Sequence, residues 1–355
     1  MRKLISSLVA GVALSSLFVM PASAGLTFSP FVTQTDLANT LSNSAAIGFA
    51  FAGDKFVGSV YFGPNNNQLY QTNLNGGGVS VFGTPIAGAG GEIYVSSSLG
   101  LGGFGSRDVF AGPENSSSVF RFNNNGSGQT AFTTGLTGGI RSIAFDPYGQ
   151  YGFNMIVATN AGNIYKVDNV GTATLLANVG EDAEGLSFTP QAFGPVPGGT
   201  LVVASEGSGM IRAISPLGVQ TTITTIGSAE MVSFVPLNLG ISGNPLEGFY
   251  SANYASNVIK APASDFIPYI GDMIVTGETT HLVWDVKWDG SQFVSTQIGI
   301  FPNQPEDGIF VTASILNPGC EVTNTCGGRI PEPRTLLLVG AALTGLAVTR
   351  RKRRA

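Results

Sequence analysis

The chain has 355 residues, with 17 Lys and Arg, 22 Asp and Glu, one His and two Cys, and only 11% of it is charged. Eight of the basic residues but only one acidic residue lie in the two termini (1–24 and 331–355), so the body keeps nine basic against 21 acidic residues, a net charge of −12. That balance excludes nucleic acid and anionic membrane surfaces as partners of the body, and it is compatible with divalent cations.

The first 24 residues read as a secretory signal helix, which implies the Sec export machinery as a partner. Arg2 and Lys3 precede an apolar run, Leu4–Met20, and Ala22-Ser23-Ala24 is a small-x-small cleavage site. After a lead-in from Leu26 to Ser44, with a helical turn expected around Thr35–Leu41, the chain becomes rich in Gly, Asn, Ser, Thr, Val and Phe. That composition predicts short strands joined by tight turns. Strands are expected at Ile47–Phe51, Phe56–Phe62, Leu69–Leu74 and Val79–Phe82. A second group is expected at Glu92–Ser96, Asp108–Gly112, Val119–Phe122 and Gln129–Thr133.

A pattern then recurs. Ser142–Pro147, Leu186–Pro190 and Val232–Pro236 each carry an apolar strand that ends in Phe and is followed by Pro. The three phenylalanines, Phe145, Phe188 and Phe234, lie 43 and 46 residues apart. Three more short strands follow each of these segments. After Val232–Pro236 they are expected at Gly248–Asn253, Asn257–Lys260 and Met273–Thr276. Strands at His281–Trp288, Gln292–Gly299 and Gly308–Ala313 supply a final unit. A four-strand unit at this period predicts an all-β chain, a β-propeller of about six blades within a range of five to seven. Leu26–Val32 is placed to close the ring by adding a strand to the last blade.

Candidate chemistry is sparse. Glu184, Glu230 and Asp307 (or its neighbour Glu306) each precede an innermost strand, and Glu92 does so in the early copy. Carboxylates at these positions fall near one end of the central channel, where they could converge on Ca²⁺ or stand as solvated rim charges. No other cofactor is implied. His281 is the single histidine and reads as structural, with no Gly-x-Ser-x-Gly elbow to partner it. Trp284 and Trp288 alternate with Val283 and Val286, which suggests core packing. Cys320 and Cys326 are expected to form one disulfide in an oxidising compartment.

The C-terminus is the most specific stretch. Pro331-Glu332-Pro333 precedes an uncharged apolar run, Thr335–Thr349, and then Arg350, Arg351, Lys352, Arg353 and Arg354. Fifteen helical residues span roughly 22 Å, short of the roughly 30 Å hydrocarbon core. The basic cluster resists translocation and keeps the prolines on the far side of the membrane. These features resemble the PEP-CTERM sorting signal of Gram-negative bacteria. The resemblance implies processing by an exosortase, passage through the inner membrane, and association with exopolysaccharide or biofilm at the cell surface or outside it.

The body resembles NHL and gluconolactonase-like propellers. Ile143-Ala144-Phe145-Asp146-Pro147-Tyr148-Gly149 carries that likeness, while Thr189 and Val235 replace the aspartate in the other copies. The expected organisation is a signal peptide (1–24), a propeller (25–318), a disulfide linker (319–330) and a sorting signal with a short transmembrane helix (331–355). Two functions follow as expectations: a non-enzymatic exported binding propeller, or a secreted metal-dependent lactonase-like hydrolase.

Overall fold

The computed structural model describes residues 25–316; Pro331–Ala355, Cys320, Cys326 and the signal helix lie outside it. Among the described residues no helix is long and apolar enough to cross a membrane. They form six four-stranded antiparallel sheets arranged as the blades of a propeller.

After β1 (Ser29–Val32) and α1 (Gln34–Leu41), blade one holds β2 (Ala46–Phe51), β3 (Phe56–Val60), β4 (Leu69–Thr72) and β5 (Ser80–Phe82). Blade two holds β6 (Ile93–Ser97), β7 (Val109–Pro113), β8 (Val119–Phe122) and β9 (Thr130–Thr133). Blade three holds β10 (Ile140–Phe145), β11 (Met155–Thr159), β12 (Asn163–Val167) and β13 (Ala173–Asn178). Blade four holds β14 (Leu186–Phe188), β15 (Leu201–Ala204), β16 (Met210–Ile214) and β17 (Gln220–Thr225).

The last two blades exchange a hairpin. From β18 (Ala229–Phe234) the chain leaves blade five to make β19 (Gly248–Tyr254) and β20 (Val258–Pro262). It crosses α2 (Ala263–Phe266) and a 3₁₀ turn before returning as β21 (Met273–Gly277), β22 (Leu282–Trp288) and β23 (Phe293–Ile300). Blade five is therefore β18-β21-β22-β23, and blade six is β24 (Gln304–Val311), β19, β20 and β1. This corrects the expected grouping, which kept β18 to β21 in one blade and put β22 and β23 in the last. The N-terminal strand does close the ring: Ser29 lies opposite Lys260 and Val32 opposite Val258.

Six apolar clusters occupy the six seams between neighbouring blades. A blade has two faces and must bury both, so the second strand of each blade lacks polar alternation. In β11, Met155 and Val157 pack toward blade two while Ile156 and Ala158 pack toward blade four. Full burial of each such side chain contributes on the order of 2 kcal/mol. Trp284 and Phe293 pack against the seam between blades four and five, and Trp288 meets Phe293 edge-on at 5.0 Å.

The turn residue behind the sequence resemblance is structural. Asp146 is buried, and its carboxylate accepts from the backbone N–H groups of Tyr148, Gly149, Tyr151 and Phe153 at 2.7–3.0 Å. At the matching position Thr189 Oγ1 accepts from Thr200 N at 2.9 Å and donates to Pro197 O at 2.8 Å.

Candidate functional site at the channel

The innermost strands β2, β6, β10, β14, β18 and β24 ring a central channel. At four of them a charged residue lies four positions before a phenylalanine of the strand: Arg141 before Phe145, Glu184 before Phe188, Glu230 before Phe234 and Glu306 before Phe310. Register shifts in β10 between Ile140 and Ser142, and in β18 between Ala229 and Val232, fall at Arg141 and Glu230. Such bulges re-aim a side chain, here at the channel end where the strands start. Gly185 completes the convergence, because a Cβ there would lie 2.7 Å from Glu230 O. Only glycine lets β14 approach β18 closely enough to set Glu184 beside Glu230.

Arg141 is the hub. Its guanidinium contacts Glu92 at 2.5 Å, Glu114 at 3.5 Å and Asp182 at 3.3 Å, and it is paired with Glu184. It also lies over the Tyr94 ring at 5.6 Å, while the Tyr94 hydroxyl donates to Glu92 at 2.5 Å. Burial opposes the Arg141 charge, but Tyr94 and the surrounding carboxylates outweigh it and hold the guanidinium protonated. The acidic network runs on from there. Glu230 hydrogen-bonds Glu306, Glu278 hydrogen-bonds Glu206, and Gln304 Nε2 donates to Glu278 at 2.5 Å and to Glu306 at 2.8 Å.

Four carboxyl groups thus contact one guanidinium and four more adjoin them, and the excess shows in the protonation of Glu230, Glu278, Glu306, Glu92 and Asp182. Burial, with Glu92 and Glu206 nearby, pushes Glu230 up to about 8. The bond from Glu206, then burial, raises Glu278 to about 8. Burial and Glu230 push Glu306 well above the ordinary carboxylate range, and burial also raises Glu92 and Asp182. Glu184 is almost fully buried, and its Oε2 has no partner among the described residues.

Of the residues singled out in the sequence, Glu184, Glu230, Glu306 and Glu92 come together. Asp307 does not join their network. It is buried, accepts from Phe49 N at 3.2 Å, and is raised to about 7 by burial. Glu206, which the sequence reading passed over, does join. One carboxylate oxygen from each of Glu184, Glu206 and Glu230 lies within 4.8 Å of the others, a donor set that suits a hard cation. Arg141 was also missed, although its offset from Phe145 equals that of the glutamates from their own phenylalanines. His281 sits at a strand start with φ 56°, and its carbonyl accepts from Phe301 N at 2.7 Å.

Beside the acidic network the channel widens into a cavity of about 740 Å³. Glu184, Glu230 and Asp307 line it, Ser142, Ser187 and Ser233 add hydroxyls, and Leu99, Leu101, Phe145 and Phe188 supply apolar wall. Pro147, Pro190 and Pro236, at the far ends of the innermost strands, mark the opposite end. Arg141, Glu92, Glu206 and Glu306 are not part of its lining.

Six-bladed geometry of this kind defines a β-propeller. No family model and no curated protein matches the chain. Among solved structures, a chain of the nidogen–laminin complex is similar at 14% identity over 75% of this chain and 84% of that one, with a TM-score of 0.51. A gluconolactonase from Xanthomonas campestris aligns at 14% identity over 81% and 91%, with a TM-score of 0.49. The PQQ-bound aldose sugar dehydrogenase of Streptomyces coelicolor aligns at 11% identity over 78% and 86%, also at 0.49. At 14% identity the likeness to the nidogen–laminin chain shows the fold and nothing finer.

Proposed function

We propose that the protein is an exported propeller that binds a small ligand in its channel and is directed to the cell envelope by its C-terminal signal. The observation that carries the binding reading is the cavity of about 740 Å³ with buried Glu184 in its lining, Oε2 unpartnered. Cavities of a few hundred to about 1,000 Å³ with few, convergent polar groups are the usual form of small-molecule sites. The sorting reading rests on Pro331–Pro333, the apolar run and Arg350–Arg354. It assigns the exosortase and the Sec machinery as processing partners, and exopolysaccharide as the surrounding matrix. Fractionation after deletion of 331–355 tests it: unchanged location and processing would refute it.

A second reading is a metal-dependent hydrolase of the lactonase kind, favoured by the carboxylate triad Glu184, Glu206 and Glu230. The donor set fits Ca²⁺, which would supply Lewis-acid polarisation of a carbonyl. The unpartnered Glu184 Oε2 and the raised Glu230 are acceptors that such a cation would satisfy. Calorimetric titration of the chelator-treated protein with CaCl₂, with a lactone-hydrolysis assay alongside, separates the readings. Stoichiometric Ca²⁺ binding and turnover, both lost in Glu206→Gln, would establish the hydrolase over the binding protein.

A further inference from the structure

We propose that the channel cavity accepts an organic amine: a small molecule with a protonated nitrogen at one end and an apolar body. The inference rests on the ligand-binding reading and names the ligand class. Its first support is the charge count in the acidic network beside the cavity, which reaches the lining through Glu184 and Glu230. Arg141 is shared among Glu92, Glu114, Asp182 and Glu184, and no second cation contacts Glu206, Glu230, Glu278 or Glu306 among the described residues. An anionic ligand would add to that excess. A protonated amine would relieve it.

The second support is Glu184 itself. Its side chain is 1% exposed, one oxygen is held by Arg141, the other has no hydrogen-bond partner among the described residues, and the residue belongs to the cavity lining. A buried acceptor without a donor costs about 1–3 kcal/mol, more when charged. An ammonium or alkylammonium N–H is the donor this position lacks. Glu230 lies in the same lining and supplies a second acceptor.

The remaining lining fits the rest of such a molecule. Ser142, Ser187 and Ser233 offer hydroxyls along the wall, and Leu99, Leu101, Phe145 and Phe188 offer an apolar surface. One basic residue lines the cavity, Arg107, and it is already engaged. Its Nη2 donates to Ile315 O at 2.8 Å, and its guanidinium lies 5.3 Å from the centre of the Phe51 ring.

The test uses the full-length chain and four probes in calorimetry: phenethylamine, 2-phenylethanol, 3-phenylpropionate and CaCl₂. Phenethylamine is expected to bind at least tenfold more tightly than the alcohol. Glu184→Gln should weaken it at least tenfold, and Ser187→Leu, which fills the wall, should abolish binding while thermal stability is retained. If Glu184→Gln does not fold, Ser187→Leu decides. Equal or tighter binding of 3-phenylpropionate overturns the amine assignment but leaves a ligand-binding cavity. Binding of CaCl₂ with none of the three aromatic probes overturns the binding reading as well.

Discussion

The pH dependence of stability follows from the acidic network, with a definite sign. Glu230 has an ordinary carboxyl value when unfolded and is raised to about 8 when folded. The folded state therefore holds a proton that the unfolded chain has lost, throughout the interval from about 4.5 to 8. Its stabilising contribution is complete below the unfolded value and disappears as pH rises through 8. At about 1.4 kcal/mol per pH unit, and counting the proton shared with Glu306 once, the loss is on the order of 5 kcal/mol. Glu278, Asp307 and Asp285 are raised in the same sense, so they steepen the slope. Denaturant unfolding at pH 5, 7 and 9 should show stability falling monotonically. Glu230→Gln keeps a hydrogen bond to Glu306 and removes the titration, so it should flatten part of the slope and be more stable than the parent at pH 9. Stability that is level or rising from pH 5 to 9, or a slope unchanged in Glu230→Gln, would refute the assignment of a crowded, proton-sharing network.

Other outcomes follow from single residues. Arg141→Met leaves buried carboxylates uncompensated and should cost about 3–5 kcal/mol at neutral pH, with a smaller loss at pH 5 in the same unfolding assay. Asp146→Ala removes the acceptor for four backbone N–H groups and should cost about 2–3 kcal/mol, read as a lower midpoint with an unchanged slope against denaturant. Gly171 has φ +88° and would place a Cβ 2.0 Å from Phe132 O, whereas Gly135, at φ +73°, has nothing within 4 Å. Gly171→Ala should then lose about 2–3 kcal/mol and Gly135→Ala about 1 kcal/mol; equal losses would show that the close approach between blades is not felt.

The propeller was legible because its repeat is local. The Phe-then-Pro endings at Phe145, Phe188 and Phe234, and the turn glycines between strands, mark each blade within a window of some 45 residues. The hairpin exchange was not legible, because Gly248–Tyr254 and Val258–Pro262 look like the next two strands of their own unit. The partner of the first, β24, lies some 50 residues downstream and that of the second, β1, at the start of the body, and strand pairing across such distances leaves no local mark. The site was half legible. A search for acids before innermost strands reaches Glu184 and Glu230, but Glu206 follows a second strand and is brought in only by blade geometry. Arg141 carries the opposite sign from its positional counterparts. Its role depends on Glu92, Glu114 and Asp182 from neighbouring blades, which no spacing in the chain encodes.

The composition of blade six governs when the ring can close during synthesis. Its four strands come from residues 29–32, 248–262 and 304–311. A chain emerging from its N-terminus presents β1 first, yet the partner of β1 is more than 220 residues away. Blades one to four can each assemble as they appear. Blade five waits for residue 300, and the last seam waits for β24, almost the final element before Leu316. Until then β1 and the β19–β20 hairpin present open edges, a hazard for intermolecular pairing. Completion of the fold is thereby tied to delivery of nearly the whole body, and a chain stalled before residue 304 leaves an open ring however well its first four blades have formed.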